Sequence, residues 1–271
     1  MDCKTRIPCI LCGKDETTDF HVMEDIFGMS LDISLCKNDG LLYINPRWSQ
    51  SRYDYFYEKE YINATNELTP DSSRDRGVWD LLKFLGLDHE PAFSAALDIG
   101  AGCGHMLKRL KEEVPNCSSY AIEPDKNNIK SLETLGVKVL DRKIEDLKSS
   151  VLFSHVFMLH SLEHFLDPLA VLTKVHNLMD SGGTLAVQVP NALNPLGRAR
   201  DYIITPHTYY FNISTLDFLL KKAGFFVFMI EEQGYFVNAV CFKSSCEKPE
   251  PKLVENLYKE QLKVITKPGF L

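Results

Sequence analysis

The stretch Leu97-Asp-Ile-Gly-Ala-Gly-Cys-Gly104 decides the fold of this chain. An apolar strand pattern ends there, and Gly100, Gly102 and Gly104 follow before a helical pattern begins. Glycines so placed let the backbone curve closely around a ligand, and Asp98 offers a carboxylate at the end of the strand. The pattern predicts a nucleotide-type pocket between a strand and the helix after it.

The spacing of the glycines separates this pocket from a dinucleotide site. A dinucleotide fingerprint reads G-x-G-x-x-G, whereas here the third glycine comes two residues after the second and His105 follows it. This spacing disfavours NAD. Glu123 ends the next predicted strand, where an acceptor-only side chain suits vicinal ribose hydroxyls. The loop and Glu123 together predict a site for a nucleoside cofactor.

Short apolar strands alternate with amphipathic helices from position 93 onward. Alternation of this kind predicts a parallel sheet. The last two predicted strands, 225–230 and 235–242, are separated by only a few residues around Gly234, which is too short for a parallel crossover. We therefore expect an α/β, doubly wound, Rossmann-like sheet with an antiparallel pair at its end.

Composition narrows the class of protein further. The 271 residues are 45% hydrophobic and 25% charged, with a formal net charge of −7. No apolar run approaches the roughly 20 residues of a membrane-spanning helix. An acidic balance argues against a protein that coats nucleic acid or an anionic membrane. We expect a cytoplasmic protein that acts on a small-molecule substrate.

Two short turns near the N-terminus carry candidate metal ligands. Cys9-Ile-Leu-Cys12-Gly13 has the spacing of a zinc knuckle, and Cys36-Lys-Asn-Asp39-Gly40 looks like a second knuckle whose last ligand is an aspartate. Three thiolates and one carboxylate predict a single structural zinc, bound more weakly than by four thiolates because a carboxylate is the harder ligand. The alternative is a reduced knuckle that has lost its metal and kept its fold.

Taken in order, several stretches resemble the class I S-adenosylmethionine-dependent methyltransferases. Each stretch is short, and the specificity lies in their order and spacing. The matching stretches are Leu97–Gly104, Ala121–Asp125, Ile144–Leu147, Leu159–Pro168, Ser181–Leu185, Val189–Asn191, Pro206–Phe211 and Ala223–Phe225.

The resemblance implies a seven-stranded sheet with an antiparallel last strand, and S-adenosylmethionine as the cofactor. Many relatives carry an acidic residue where this chain has Lys143. Carried over residue by residue, the resemblance implies these cofactor contacts: Asp98, Gly100, Gly102 and Gly104 at the amino-acid end, Glu123 at the ribose, Ile144 and Glu145 at the adenine, and His160 beside the pocket.

Methyl transfer from a sulfonium is an in-line displacement, so the protein must align acceptor and methyl group and remove a proton from a hydroxyl or carbon acid. An imidazole accepts protons near neutrality. We expect His207 and His160 as candidate bases, with capping of a loop backbone as the alternative for His207. The expected acceptor-binding residues are His164, Asn191, His207 and Tyr210.

The Cys-rich segment is similar to that of the deoxysugar C-methyltransferases, which read C-x-x-C twice before a Pro- and Tyr-rich stretch like 45–61. We expect no counterpart here of the further C-terminal domain that those enzymes carry, so sugar C-methylation does not simply carry over. We divide the chain into a zinc-knuckle-like module (1–45), an aromatic connector with a helix over 74–85 (46–92), the methyltransferase domain (93–245), and a C-terminal surface tail with one amphipathic helix (246–271).

These observations predict a methyltransferase that acts on a small hydroxylated or sugar-like acceptor, with O-methylation expected first. A nicotinamide-dependent oxidoreductase is one alternative, which the glycine spacing disfavours. The other is a non-catalytic protein that keeps the cofactor pocket and docks through its N-terminal module.

Overall fold

The computed structural model describes residues 4–22, 24–61, 80, 83, 94–243, 250–252, 254 and 256–271. All but two positions of the helix predicted over 74–85 lie outside these ranges. The strands are β1 (Thr17–Val22), β2 (Leu31–Cys36), β3 (Leu42–Ile44), β4 (Ala95–Ile99), β5 (Ser118–Ile122), β6 (Lys138–Asp141), β7 (Phe153–Leu159), β8 (Met179–Pro190), β9 (Tyr209–Tyr210), β10 (Phe225–Gln233) and β11 (Phe236–Lys243).

Helices lie between most of these strands. They are α1 (Gln50–Tyr55), continued by a π-helix (Phe56–Tyr61), α2 (His105–Glu113), α3 (Lys126–Thr134), a 3₁₀ turn (Leu162–His164), α4 (Pro168–Leu178), α5 (Ala199–Tyr202), α6 (Ile213–Lys222) and α7 (Leu257–Ile265). Within the described ranges, no helix combines the length and the apolar character that crossing a bilayer requires.

A seven-stranded sheet forms the centre of the fold, in the order β10-β11-β8-β7-β4-β5-β6. The strands from β8 to β6 pair in parallel, whereas β11 is antiparallel to both β8 and β10. The predicted doubly wound sheet with an inserted antiparallel last strand is therefore confirmed. Since parallel strands all end at one edge, their terminal loops meet there.

Alternate residues of β4 enter two different cores. Leu97 packs with apolar side chains of α4 and α6 on one face, and Ala96 packs with α2 and Leu132 of α3 on the other. A strand buried on both faces reads as a continuous apolar run, which is why 95–99 could be predicted as a central strand.

A second, four-stranded antiparallel sheet joins the N-terminal segment to a distant part of the chain. Its order is β1-β2-β3-β9, and β9 pairs with β3 through Tyr209 and Tyr43. Helix α7 lies over this region with Leu257, Gln261 and Ile265 buried. The helix predicted in the C-terminal tail is thus present, but the segment is packed into the protein and is not a surface tail.

Candidate active site

The glycine loop after β4 is held against two neighbouring elements. Gly100 and Gly104 have φ of +79° and +88°, a region that favours glycine. A Cβ on Gly100 would lie 2.8 Å from Cβ of Ser161, and one on Gly104 would lie 2.7 Å from Cδ2 of Leu132. These two glycines are therefore required by packing within the protein.

Gly102 differs from the other two glycines because its Cα faces open space. Among the described residues, no heavy atom lies within 4 Å of a Cβ built there. Its main-chain N–H donates a hydrogen bond of 2.7 Å to Oε2 of Glu123. Gly102 is thus the point of the loop at which a ligand can approach the backbone closely.

Glu123 follows β5 and is 4% exposed. Its Oε1 accepts hydrogen bonds from the N–H of Asp125 (2.8 Å) and from Nδ2 of Asn128 (3.3 Å). Burial raises the pKa of this carboxyl above its ordinary value, against the opposing effect of the hydrogen bonds. Three of about four acceptor sites on the carboxylate are occupied, so Oε2 keeps capacity for one more donor.

The other predicted cofactor residues have mixed surroundings. Asp98 is 3% exposed at the end of β4. Ile144 is fully buried in the core shared with β5, whereas Glu145 is exposed and its carbonyl accepts a bond from Lys174. Lys143, which departs from the family pattern, forms a 2.7 Å ion pair with Asp54 of α1.

A buried carboxylate lies among all three histidines predicted for this edge of the sheet. Glu163, in the 3₁₀ turn after β7, is 1% exposed. Its Oε1 lies 3.9 Å from Nδ1 of His160, 4.0 Å from Nε2 of His164 and 4.0 Å from Nε2 of His207. We call these four residues the Glu163 cluster. The structure therefore brings together His160 and His207, the two candidate bases.

Glu163 is the member of the cluster that the sequence analysis missed. The sequence pattern that could have pointed to Glu163 is the spacing His160-x-x-Glu163-His164. It places all three residues at the end of one strand and in the turn after it. The spacing alone does not show that the carboxylate is buried. That burial depends on segment 204–211, whose Thr208 donates from its N–H and Oγ1 to the carbonyl of Glu163 at 2.8 and 3.0 Å.

Neighbouring groups fix the orientation of the cluster. His160 has a positive φ of +55°, and its N–H donates to the carbonyl of Gln188. Nδ1 of His164 is 2.9 Å from the hydroxyl of Tyr57, which comes from the π-helix after α1. Burial lowers the pKa of His164 to about 4, so this imidazole is neutral at physiological pH. The π-helix after α1 thus fixes one side of the His164 ring, although it is far away in the sequence.

Asn191 and Tyr210, the other predicted acceptor residues, are both buried. Oδ1 of Asn191 accepts from the N–H of Leu193, and within the described part of the chain its Nδ2 has no hydrogen-bond partner. The Tyr210 hydroxyl donates to the carbonyl of Ile204 and accepts from its N–H. Tyr210 therefore supports segment 204–211, on which His207 lies, and Asn191 keeps a donor that is not used by the described residues.

The N-terminal cysteines form a compact group with Asp39. One ligand atom from each of Cys9, Cys12, Cys36 and Asp39 lies within 4.8 Å of the others. Sγ of Cys9 donates to Oδ2 of Asp39 at 3.0 Å, and the sulfurs of Cys12 and Cys36 are 3.5 Å apart. The predicted metal ligands therefore converge on one point.

The two turns that supply these ligands have the same backbone geometry. Gly13 donates its N–H to the carbonyl of Cys9, and Gly40 donates to that of Cys36, each glycine with positive φ. Asp39 stands in the second turn where Cys12 stands in the first. Its Oδ1 accepts from the N–H of Leu41, which leaves Oδ2 facing the sulfurs.

The thiols of this group differ in acidity. The adjacent Cys9 side chain lowers the pKa of Cys36 to about 7, whereas burial raises the pKa of Cys12 to about 12. One thiolate is therefore favoured near neutrality, in a group of four potential ligands.

Comparison with known proteins identifies the same class of protein as the fold and the glycine loop do. A sheet of this strand order, with a glycine loop after its central strand and an acidic residue after the next, defines a class I S-adenosylmethionine-dependent methyltransferase. A family model described as a methyltransferase domain matches residues 71–228, more than half of the chain. The chain belongs to this methyltransferase family and is an enzyme. A comparison with curated proteins gave no match.

Solved structures share the fold at low sequence identity. A Burkholderia thailandensis 1,6-didemethyltoxoflavin-N1-methyltransferase, with bound 1,6-didemethyltoxoflavin and S-adenosylhomocysteine, is 14% identical with a TM-score of 0.60, over 79% of this chain and 96% of that one. An O-methyltransferase family protein of the same organism is 15% identical with a TM-score of 0.56, over 73% of this chain and 64% of that one.

A third similar structure is a possible histamine N-methyltransferase from Thermotoga maritima. It is 20% identical with a TM-score of 0.52, over 71% of this chain and 98% of that one. These neighbours include both O- and N-methyltransferases, so they support the fold and leave the acceptor atom to be argued from the site.

Proposed function

We propose that this enzyme transfers a methyl group from S-adenosylmethionine to a hydroxyl of a small hydroxylated or sugar-like acceptor. The observation that carries the proposal is the contact of Gly100 with Ser161, which places the glycine loop beside the turn that bears the Glu163 cluster. A nucleoside-binding loop and a group of proton-accepting side chains thus share one edge of the sheet.

On the cofactor side, Gly102 supplies the open stretch of backbone and Glu123 supplies the carboxylate. The remaining acceptor capacity of Glu123, at Oε2 beside the bond from the Gly102 N–H, suits one ribose hydroxyl. Asp98 and the glycines are assigned to the amino-acid end, and Ile144 and Glu145 to the adenine.

On the acceptor side, the Glu163 cluster supplies the base. The carboxylate stabilises a protonated imidazole beside it, so His207 and His160 are each able to take a proton from a hydroxyl as the methyl group is transferred. Asn191, with an unused amide donor, is assigned to a polar group of the acceptor. A site that contains a base suits a hydroxyl acceptor better than an amine acceptor, because an alcohol or phenol becomes nucleophilic when it loses its proton.

We also propose a structural zinc at Cys9, Cys12, Cys36 and Asp39. The two matched turns direct three sulfurs and one carboxylate oxygen at a common point, which suits a closed tetrahedral site. The zinc would join the two turns. Through β2 and β3 it would also support β9, which begins two residues after His207. We retain the division at residues 45, 92 and 245 as a proposal.

A screen of methyl transfer with labelled S-adenosylmethionine tests the function. Nucleotide sugars and small phenols are offered as acceptors, with small amines of matched size for comparison. We expect label in a hydroxyl acceptor and its loss in the Glu163→Gln variant. Transfer to amines alone, unaffected by that variant, would contradict the proposed chemistry.

A further inference from the structure

The Glu163 cluster contains the donor set of a metal site as well as that of a base. Oε1 of Glu163 lies 4.0 Å from Nε2 of His164 and 4.0 Å from Nε2 of His207, and one ligand atom from each of the three residues lies within 4.8 Å of the others. We propose that these three atoms bind a divalent transition metal such as Zn²⁺, distinct from the cysteine site. Two imidazoles and one carboxylate suit such an ion and leave positions open for a further ligand.

The hydrogen bonds around His164 support this assignment. The phenol of Tyr57 has a single proton, and it donates to the carbonyl of Pro206, which can only accept, at 3.3 Å. With the phenol proton on that carbonyl, the 2.9 Å contact between Tyr57 and Nδ1 of His164 is a bond that Nδ1–H donates. In this tautomer Nε2 carries the lone pair, and it lies 4.0 Å from Oε1 of Glu163. That lone pair faces the cluster.

A lone pair and a carboxylate oxygen that face each other can both bind one cation placed between them. Nε2 of His164 and Oε1 of Glu163 are both acceptors in this tautomer, 4.0 Å apart. A metal ion satisfies both at once. The bond from Nδ1–H to Tyr57 is the outer contact that metal-binding histidines usually make, because it fixes the tautomer and the ring.

The distances are compatible with binding after a small contraction. Two ligands of a tetrahedral zinc with bonds of about 2.0–2.1 Å lie roughly 3.3 Å apart. The 4.0 Å separations from Oε1 to the two Nε2 atoms exceed this by less than 1 Å.

A metal here would deepen the proposed function, on which this step rests. An acceptor hydroxyl in an open metal position loses its proton more readily. His207 would then be a ligand, and His160, whose Nδ1 lies 3.9 Å from the same oxygen, would be left to take the proton. The metal site itself does not depend on methyl transfer and can be tested without it.

Zinc stoichiometry of the full chain after equilibration with Zn²⁺ tests the inference. We expect two ions per chain, with one lost in Cys36→Ser and the other lost in His207→Gln. His21→Gln, at a surface histidine paired with Asp32, is the matched control and should retain both ions. Circular dichroism confirms that each variant is folded, and Glu163→Gln provides a second variant should His207→Gln not fold.

Cobalt substitution identifies which site is filled. Co²⁺ bound to thiolates gives a strong near-ultraviolet charge-transfer band, whereas a nitrogen and oxygen site gives only weak visible bands. We expect the weak bands to persist in Cys36→Ser and to vanish in His207→Gln. If His207→Gln keeps the full zinc content and all cobalt bands of the wild type, the inference is overturned. Failure of methyl transfer with both metals bound would instead contradict the proposed function alone.

Discussion

One carboxylate oxygen of Glu123 accepts the main-chain N–H of Gly102 at 2.7 Å, so the same side chain shapes the glycine loop and faces the space beside it. A ligand that approaches Gly102 therefore meets a backbone curve that Glu123 already holds. Preorganisation of this kind lowers the ordering cost of binding. The glycine loop and Glu123 thus act as one unit, and their variants should share one phenotype.

Substitutions at two glycines of the loop should separate binding from folding. Gly104→Ala places a Cβ 2.7 Å from Leu132 in the core, so we expect lower thermal stability. Gly102→Ala meets no described atom and should cost only about 1 kcal/mol for its left-handed φ. Its methyl group occupies the ligand's space, so we expect at least a tenfold loss of S-adenosylmethionine affinity. Calorimetry and thermal melts measure the two effects, and equal stability loss in both variants would contradict this assignment.

The two candidate bases differ in their expected kinetics. His207→Ala should lower kcat by roughly 10² to 10⁴ while S-adenosylmethionine affinity stays nearly constant, because help from a base or a bound metal belongs to the transition state. His160→Ala should lower kcat and also weaken the cofactor, because His160 directly precedes Ser161, which contacts Gly100. Steady-state rates against pH, with cofactor affinity measured in parallel, distinguish them. A His207→Ala variant changed only in the acceptor's KM would show that this residue merely holds the substrate.

Removal of a cysteine ligand should loosen the N-terminal sheet. In Cys36→Ser we expect loss of the zinc held with Cys9, Cys12 and Asp39, and a lower melting temperature, because metal binding is coupled to folding of the site. Cys241→Ser is a suitable control, since this buried thiol of β11 lies outside the group. Melting temperatures with and without chelator supply the measurement. A wild type whose melting is indifferent to chelator would show that the knuckles fold without metal.

Acid should destabilise the protein through His155, a buried residue of β7. Burial lowers the pKa of His155 to about 3, below the unfolded value near 6.5. The unfolded chain therefore binds the proton first, and stability that is fully present above pH 6.5 is lost as pH falls toward 3. The loss is at most about 5 kcal/mol for this shift. His155→Gln should flatten the dependence of unfolding free energy on pH over that window, and His21→Gln, 54% exposed, should leave it in place. Identical pH dependence in all three proteins would refute the effect.

The central sheet could be predicted because the sequence patterns that specify its strands and helices each lie within one short segment. A strand buried on both faces is a continuous apolar run, and some helices between strands carry clear start signals, such as Asp167 and Pro168 at the start of α4. The short link around Gly234 was enough to predict the antiparallel pair.

The features that could not be predicted from the sequence depend on contacts between distant segments. Pairing of Tyr43 with Tyr209 joins residues that are far apart in the chain, and nothing in either stretch predicts its partner. The burial of Glu163 likewise depends on Thr208 and Tyr57, which come from other elements. Sequence spacing identified the three histidines, but only the packing of these segments shows that they surround one carboxylate.

The most direct test of S-adenosylmethionine binding at the Gly102–Glu123 unit is calorimetric titration of the wild type, Glu123→Ala and Asp125→Ala. Asp125 is the matched control because it caps α3 through Asn127 and Asn128, so its loss costs stability of about 1 kcal/mol without removing the Glu123 carboxylate. We expect Glu123→Ala to lose about 1.5–3 kcal/mol of binding free energy per hydrogen bond to the charged group. Asp125→Ala should bind nearly as tightly as the wild type, and NAD should not bind. Unchanged affinity in Glu123→Ala, or micromolar NAD binding by the wild type, would contradict the assignment.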